Sequence, residues 1–115
     1  MPASDSVSSE PSPPASDRTV FQPNPAIVGP RPLAVDSWSA VDGDRVALHF
    51  TTGSPACYGI DAKVVDETDS TVTVYLRTGA LPDAVGKMCT MIAVFGTVEL
   101  PLQAPLGDRA VVSVP

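Results

Sequence analysis

Two stretches of the chain alternate strictly between apolar and polar residues, over 45–51 (RVALHFT) and 71–78 (TVTVYLRT). Alternation with a period of two, rich in β-branched residues, is typical of a strand with one buried face. Both stretches are therefore predicted to be strands. The side chains expected in the core are Val46, Leu48 and Phe50 from the first, and Val72, Val74 and Leu76 from the second.

Four further stretches favour strands, namely 60–66, 91–100 and the shorter 33–41 and 110–114, although Val65 breaks the alternation of the first. Turn-forming residues separate them: Asp42-Gly43, the polar run 67–70 and the run 105–108 (PLGD). No window shows sustained helical periodicity. The sequence predicts an all-β fold, an antiparallel sandwich that is either immunoglobulin-like or a small barrel.

The N-terminal part of the chain differs in composition from the rest. Eight of the 13 prolines stand in the first 32 residues, at positions 2, 11, 13, 14, 23, 25, 30 and 32. Residues 1–18 contain too few large apolar side chains to offset the entropy of ordering them. Residues 19–32 interleave Pro with Phe21, Ile27 and Val28, which favours an extended lead-in along a sheet edge. We therefore divide the chain into a disordered leader or tether, 1–32, and a β-sandwich domain, 33–115.

Composition and charge exclude some classes of partner and location. The chain has 115 residues, a net charge of −6 and only seven Lys and Arg, so nucleic acid is not an expected partner. No apolar run approaches the roughly 20 residues of a membrane span, which predicts a soluble chain. The polar start after Met1-Pro2 is not a signal peptide. We expect a mature chain from outside the cytoplasm that carries an added initiator methionine.

Cys57 and Cys89 are the two cysteines, and both fall in predicted loops. One disulfide between loops at the same end of the sandwich is the favoured interpretation, and it fits an oxidising compartment. Two reduced, buried cysteines in a cytosolic protein are the alternative. Two thiols and one His leave a tetrahedral metal site incomplete.

Several short motifs occur together in this chain: Ala56–Ile60, Thr71–Val74, Gly79, Pro82, Gly86, Cys89, Val98–Leu100 and Pro105–Val112. Together they resemble a family of small secreted proteins and lipoproteins of actinobacteria. The resemblance covers roughly 45–113 and implies an extracytoplasmic, membrane-tethered β domain with a Cys57–Cys89 disulfide. It implies no catalytic activity. The cysteine that would carry the lipid anchor of such proteins is not in this chain.

Catalytic chemistry is not expected. His49, the single histidine, stands opposite the core face of its strand, where we expect it to be solvated, and no nucleophile motif accompanies it. The carboxylates at 42/44 and at 66, 67 and 69 fall at predicted turns, which Asp favours for local hydrogen-bonding reasons, and they do not match a calcium loop. The sequence predicts no enzyme, no cofactor and no metal.

Two surfaces are candidates for binding. Thr73, Tyr75 and Arg77 share the outward face of one predicted strand, and Tyr and Arg are enriched at interfaces. The segment Met88–Ile92 is faintly similar to the reactive loop of subtilisin-type inhibitors, although the favoured interpretation places Met91 at the start of a core strand. Trp38 is also expected in the core.

The resulting hypothesis is a non-catalytic, extracytoplasmic β-sandwich that binds another envelope protein or a small ligand. We expect a monomer that meets the membrane only through an N-terminal lipid anchor absent from this chain. The alternative is a secreted protease inhibitor that acts through Met88–Ile92.

Overall fold

A computed structural model describes residues 18–115, in which eight β-strands and one short 3₁₀ helix form. The strands in chain order are β1 (Thr19–Phe21), β2 (Val28–Pro32), β3 (Ser37–Val41), β4 (Arg45–Thr52), β5 (Tyr58–Glu67), β6 (Thr71–Ala80), β7 (Val94–Pro101) and β8 (Ala110–Val114). The 3₁₀ helix, Pro82–Ala84, lies between β6 and β7. Within these residues no helix has the length and apolar character needed to cross a bilayer.

The strands form two sheets that pack together. The first sheet has the order β1-β7-β4-β3, and the second has the order β2-β6-β5, with β8 also beside β6. The all-β fold is thus confirmed, with two packed sheets. The prediction of purely antiparallel sheets is wrong, because β1 pairs with β7 and β8 pairs with β6 in parallel. Both parallel pairs join strands far apart in sequence, for which a tight hairpin is not available.

The core lies between the sheets and uses the alternation seen in the sequence. Phe21 on β1 and Phe50 on β4 meet there with ring centroids 5.5 Å apart. Trp38 is half-buried and packs against this cluster. The buried core residues are Phe21, Val46, Leu48, Phe50, Ile60, Ala62, Val72, Val74, Leu76, Val98, Leu100, Leu102 and Leu106.

The turns lie where their residues predicted them. Gly43, in the β3–β4 hairpin, has φ +72°, a conformation that glycine adopts without the steric cost of a Cβ. In the β5–β6 turn the Thr68 hydroxyl accepts a hydrogen bond from the Thr71 backbone N–H at 3.0 Å. The break in alternation at Val65 is a β-bulge, since the β5–β6 register shifts between Val64 and Asp66.

Residues 19–32 belong to the sandwich, so the boundary predicted at residue 33 is too late. They supply β1 and β2, and they bury Phe21 and Ile27. Ile27 packs over Gly59 and Gly79, which pair across β5 and β6; a Cβ on Gly59 would lie 2.7 Å from Ile27 Cγ2. The apolar residues among the prolines therefore bind this segment to both sheets. The remainder of the predicted leader, 1–17, lies outside the described residues.

Candidate binding site at the disulfide pole

A disulfide fixes the long β6–β7 connection to the β4–β5 loop. Cys57 and Cys89 are bonded with an S–S distance of 2.00 Å and a Cα–Cα distance of 6.1 Å, so the predicted bridge is present. The Leu81 N–H also donates to the Cys57 carbonyl at 2.8 Å, and Ala84 is buried. The connection is thus held at its start by the backbone and the 3₁₀ helix, and farther on by the disulfide.

Several apolar side chains of this connection face solvent. We call Val85–Ile92 the methionine loop. Its exposed apolar side chains are Val85 (58% exposed), Met88 (100%), Met91 (96%) and Ile92 (48%). Monomeric proteins rarely hold large apolar side chains together in solvent without a functional reason. Of the ten large apolar side chains that are exposed within residues 18–115, four lie in this loop.

The expectation that Met91 begins a core strand is wrong. Strand β7 starts at Val94, not at residue 91, and its core side chains include Val98 and Leu100. Successive strand residues point to opposite faces, so the register that buries even-numbered residues of β7 places odd-numbered residues outside. Phe95 is accordingly 61% exposed. Met91 and Ile92 both precede the strand, so the alternation of β7 does not extend to them, and both are exposed.

Thr73, Tyr75 and Arg77 lie together on β6, as the sequence predicted, and all three are half-buried. The guanidinium carbon of Arg77 is 4.3 Å from the centroid of the Tyr75 ring, a cation–π contact. Arg77 Nη2 also donates to the Pro115 carbonyl at 3.4 Å. Tyr75 and Arg77 are thus engaged with each other and with their own chain.

Asp61, on β5, sets the electrostatics of this face. The Tyr75 hydroxyl donates to Asp61 Oδ2 at 3.3 Å. Desolvation raises the pKa of Tyr75 above its ordinary value of 10.0; the Asp61 carboxylate raises it further, and Arg77 opposes the change. Tyr75 therefore stays a neutral donor at physiological pH.

His49 is buried, and the expectation that it would be solvated is wrong. It is only 5% exposed, and its Nε2 shares a hydrogen bond of 3.0 Å with Ser39 Oγ on the neighbouring strand β3. It stands on the central strand β4, beside the buried Thr97 of β7. Burial lowers the pKa of His49 below its ordinary value of 6.5, and the Arg18 guanidinium lowers it further. The imidazole is therefore neutral at pH 7.

The acidic clusters lie at or beside turns in this fold. Asp42 and Asp44 flank the glycine of the β3–β4 hairpin. Glu67, at the end of β5, accepts hydrogen bonds from Arg109 Nη1 at 3.1 Å and from the Gln103 backbone N–H at 2.8 Å. Within residues 18–115 no group of three or more His, Cys, Asp or Glu side chains is placed to hold a metal ion.

Comparisons of the chain with protein-family models, with curated proteins and with solved structures return no significant match. The resemblance to secreted actinobacterial proteins therefore stays a prediction, and the candidate site rests on its own geometry.

Proposed function

We propose that this protein is a non-catalytic binding module of the extracytoplasmic space, and that it holds another protein through the methionine loop. The observation that carries the proposal is the exposure of Met88 and Met91 on either side of Cys89, which is bonded to the folded core through Cys57.

Physical chemistry supports a protein as the partner. Methionine has a flexible, polarisable thioether that adapts to irregular apolar surfaces, and it is enriched in interfaces. A contact loop that is already anchored loses less conformational entropy on binding than an unanchored one. The disulfide thus serves the interaction as well as the fold.

The disulfide also supports a location outside the cytoplasm, because cytosolic thiols are kept reduced. Treating intact cells with an alkylating reagent and measuring the protein's mass tests this. We expect neither Cys57 nor Cys89 to be alkylated until a reductant is added. Alkylation of both without reduction would remove the argument for export.

Size fractionation of an extract from the source cells tests the interaction. The wild-type protein should elute in a complex larger than its own 11.9 kDa, and the purified chain alone should not. Replacing both Met88 and Met91 by Asp should shift the protein to the position of the monomer, because a partner's apolar surface would have to desolvate two carboxylates.

Two control variants make the result specific. Ala104→Asp with Ser113→Asp adds the same charge at exposed positions and should leave the complex intact. Tyr75→Ser with Arg77→Ser removes the polar face of β6. If only this second pair of substitutions abolishes the complex, the contact lies on β6 and the proposed role of the methionine loop is wrong. A wild-type protein that elutes as a monomer would also overturn that role.

A protease inhibitor is the second candidate, favoured by the full exposure of Met88 beside an anchored cysteine. One feature counts against it: the Ile92 N–H donates to the Thr90 carbonyl at 3.1 Å, which closes a tight turn around Met91, where a protease would need extended backbone. Titration against subtilisin-like proteases decides between the two. Inhibition at micromolar concentration that is lost in Met88→Asp would establish the inhibitor, and its absence would eliminate it.

A further inference from the structure

A pocket of about 500 Å³ opens at the disulfide pole, between the ends of the two sheets. Its size lies within the range of roughly 300–1,000 Å³ typical of small-molecule sites. Segment 90–93 forms one wall, and residues of β2, β4, β5 and β6 contribute the others.

The inward-facing positions of the strands change from apolar to polar residues where they reach this pocket. Along β4 the core residue Phe50 is followed, two positions on, by Thr52. On β6, Leu76 is followed by Thr78, and on β5, Ile60 is preceded by Tyr58. Because alternate residues share a face, each of these three polar residues takes a position that an apolar residue holds deeper in the sandwich.

Arg31 adds a positive charge to the same place. It pairs with Thr78 across β2 and β6, and it lines the pocket. Within residues 18–115 the ion pairs are Arg45–Glu99 and Arg109–Glu67, so no carboxylate there neutralises Arg31.

Hydroxyl groups are also available to a ligand. Among the described residues, Thr52 Oγ1 and the Tyr58 hydroxyl have no hydrogen-bond partner, whereas Thr51 Oγ1 donates to Asp36 Oδ2 at 3.1 Å. The apolar side chains that line the pocket are those of Leu33, Met91, Ile92 and Ala93.

We propose that this pocket binds a small amphipathic carboxylate, with its alkyl chain against Leu33, Met91 and Ile92 and its carboxylate on Arg31. A guanidinium suits a carboxylate because its planar donors match the two oxygens. The hydroxyls of Thr52 and Tyr58 supply further donors. The pocket shares Met91 and Ile92 with the methionine loop, but Arg31 recognises the carboxylate and Met88 lies outside the pocket, so failure of the proposed protein partner would leave this inference standing.

Amide chemical-shift mapping on the purified full chain tests the inference with three probes of equal chain length: decanoate, decanol and decyltrimethylammonium, each below its micelle concentration. Decanoate should shift the amides of Thr52, Tyr58, Thr78 and Ile92. It should bind at least about tenfold more tightly than decanol, which corresponds to one charge-assisted hydrogen bond, and the cation should not bind there.

Variants separate the contribution of the Arg31 charge to binding from that of the contacts with the probe's alkyl chain. Arg31→Gln should weaken decanoate about tenfold and leave decanol unchanged, whereas Arg45→Gln should change neither. Met91→Asp should weaken both probes, and Met88→Asp should weaken neither. Equal binding of decanoate and the cation, shifts outside the pocket, or no binding of decanoate by the wild type would overturn the inference. Should Arg31→Gln disturb the fold, Thr52→Val takes its place, and a smaller preference for decanoate over decanol is the expected result, because one donor to the carboxylate is lost while Arg31 remains.

Discussion

An ion pair between Arg109 and Glu67 joins the turn between β5 and β6 to the chain segment that follows β7. Arg109 Nη1 lies 3.1 Å from Glu67 Oε1, and the two side chains are 12% and 10% exposed. The same guanidinium donates from Nη2 to the carbonyls of Ala104 and Pro105 at 2.9 and 3.0 Å. One side chain therefore holds the β5–β6 turn and the approach to β8 together.

Removing one member of this ion pair should lower the free energy of unfolding substantially. We expect Arg109→Ala to lower the free energy of unfolding by about 3 kcal/mol, because it leaves the Glu67 carboxylate buried without its cation. Urea unfolding followed by tryptophan fluorescence measures this. The pair Arg45–Glu99, whose side chains are 49% and 37% exposed, supplies the control: Arg45→Ala should cost less than about 1 kcal/mol. Equal costs at the two sites would contradict the assignment.

Two substitutions test whether residues 19–32 belong to the folded domain. Phe21 is buried against Phe50, whereas its neighbour Val20 is 58% exposed. Phe21→Ala should cost about 3–5 kcal/mol, and Val20→Ala should cost less than about 0.5 kcal/mol. The same unfolding measurement decides. A negligible effect of Phe21→Ala would mean that the domain does not include β1.

The disulfide should supply a large share of the stability. Cys57 and Cys89 are 32 positions apart, for which chain-entropy treatment gives about 3–4 kcal/mol. Replacing both cysteines by Ser should lower the free energy of unfolding by that amount and make the methionine loop the first site of proteolysis. Unfolding curves and limited digestion measure the two effects. A loss below about 1 kcal/mol, with an uncut loop, would show that the loop is held by other contacts.

His49 should make stability fall on acidification. Its pKa is lowered in the folded chain by burial and by Arg18, so the unfolded chain takes up a proton at its ordinary pKa of about 6.5 while the folded chain resists it. The contribution is thus complete above pH 6.5 and is lost as the pH falls through that value toward the folded pKa. We expect the wild type to lose more stability between pH 7 and pH 5 than His49→Gln. Parallel pH curves for the two proteins would refute this role.

Alternation predicted β4 and β6 because each places its apolar residues on the face that packs in the core. Val46, Leu48, Val72 and Val74 show no exposure, and the break at Val65 marks a bulge. The contributions of β1 and β2 were not predictable in this way. The three residues of β1, and the five of β2 with its two prolines, are too few to show a period. Both strands form through contacts with β7 and β6 that are distant in sequence.

The candidate site was predictable in part. The position of both cysteines at strand ends favoured the Cys57–Cys89 bridge. The burial of His49 was not visible, because alternation reports only which face of a strand a residue is on. The outer face of a central strand is crowded by its neighbours, here Ser39 and Thr97. The pocket was also not predictable, since Arg31 and Tyr58 meet only when β2 and β5 flank β6.

Photo-crosslinking in the source cells tests the central claim most directly. A photoreactive amino acid is placed at Met88, at Met91 or, as a control at another exposed turn, at Asp69. We expect the same protein adduct from Met88 and Met91, none from Asp69, and loss of the Met88 adduct when Met91 is replaced by Asp. An adduct of equal yield from Asp69, or none from either methionine position, would contradict a binding function of the methionine loop.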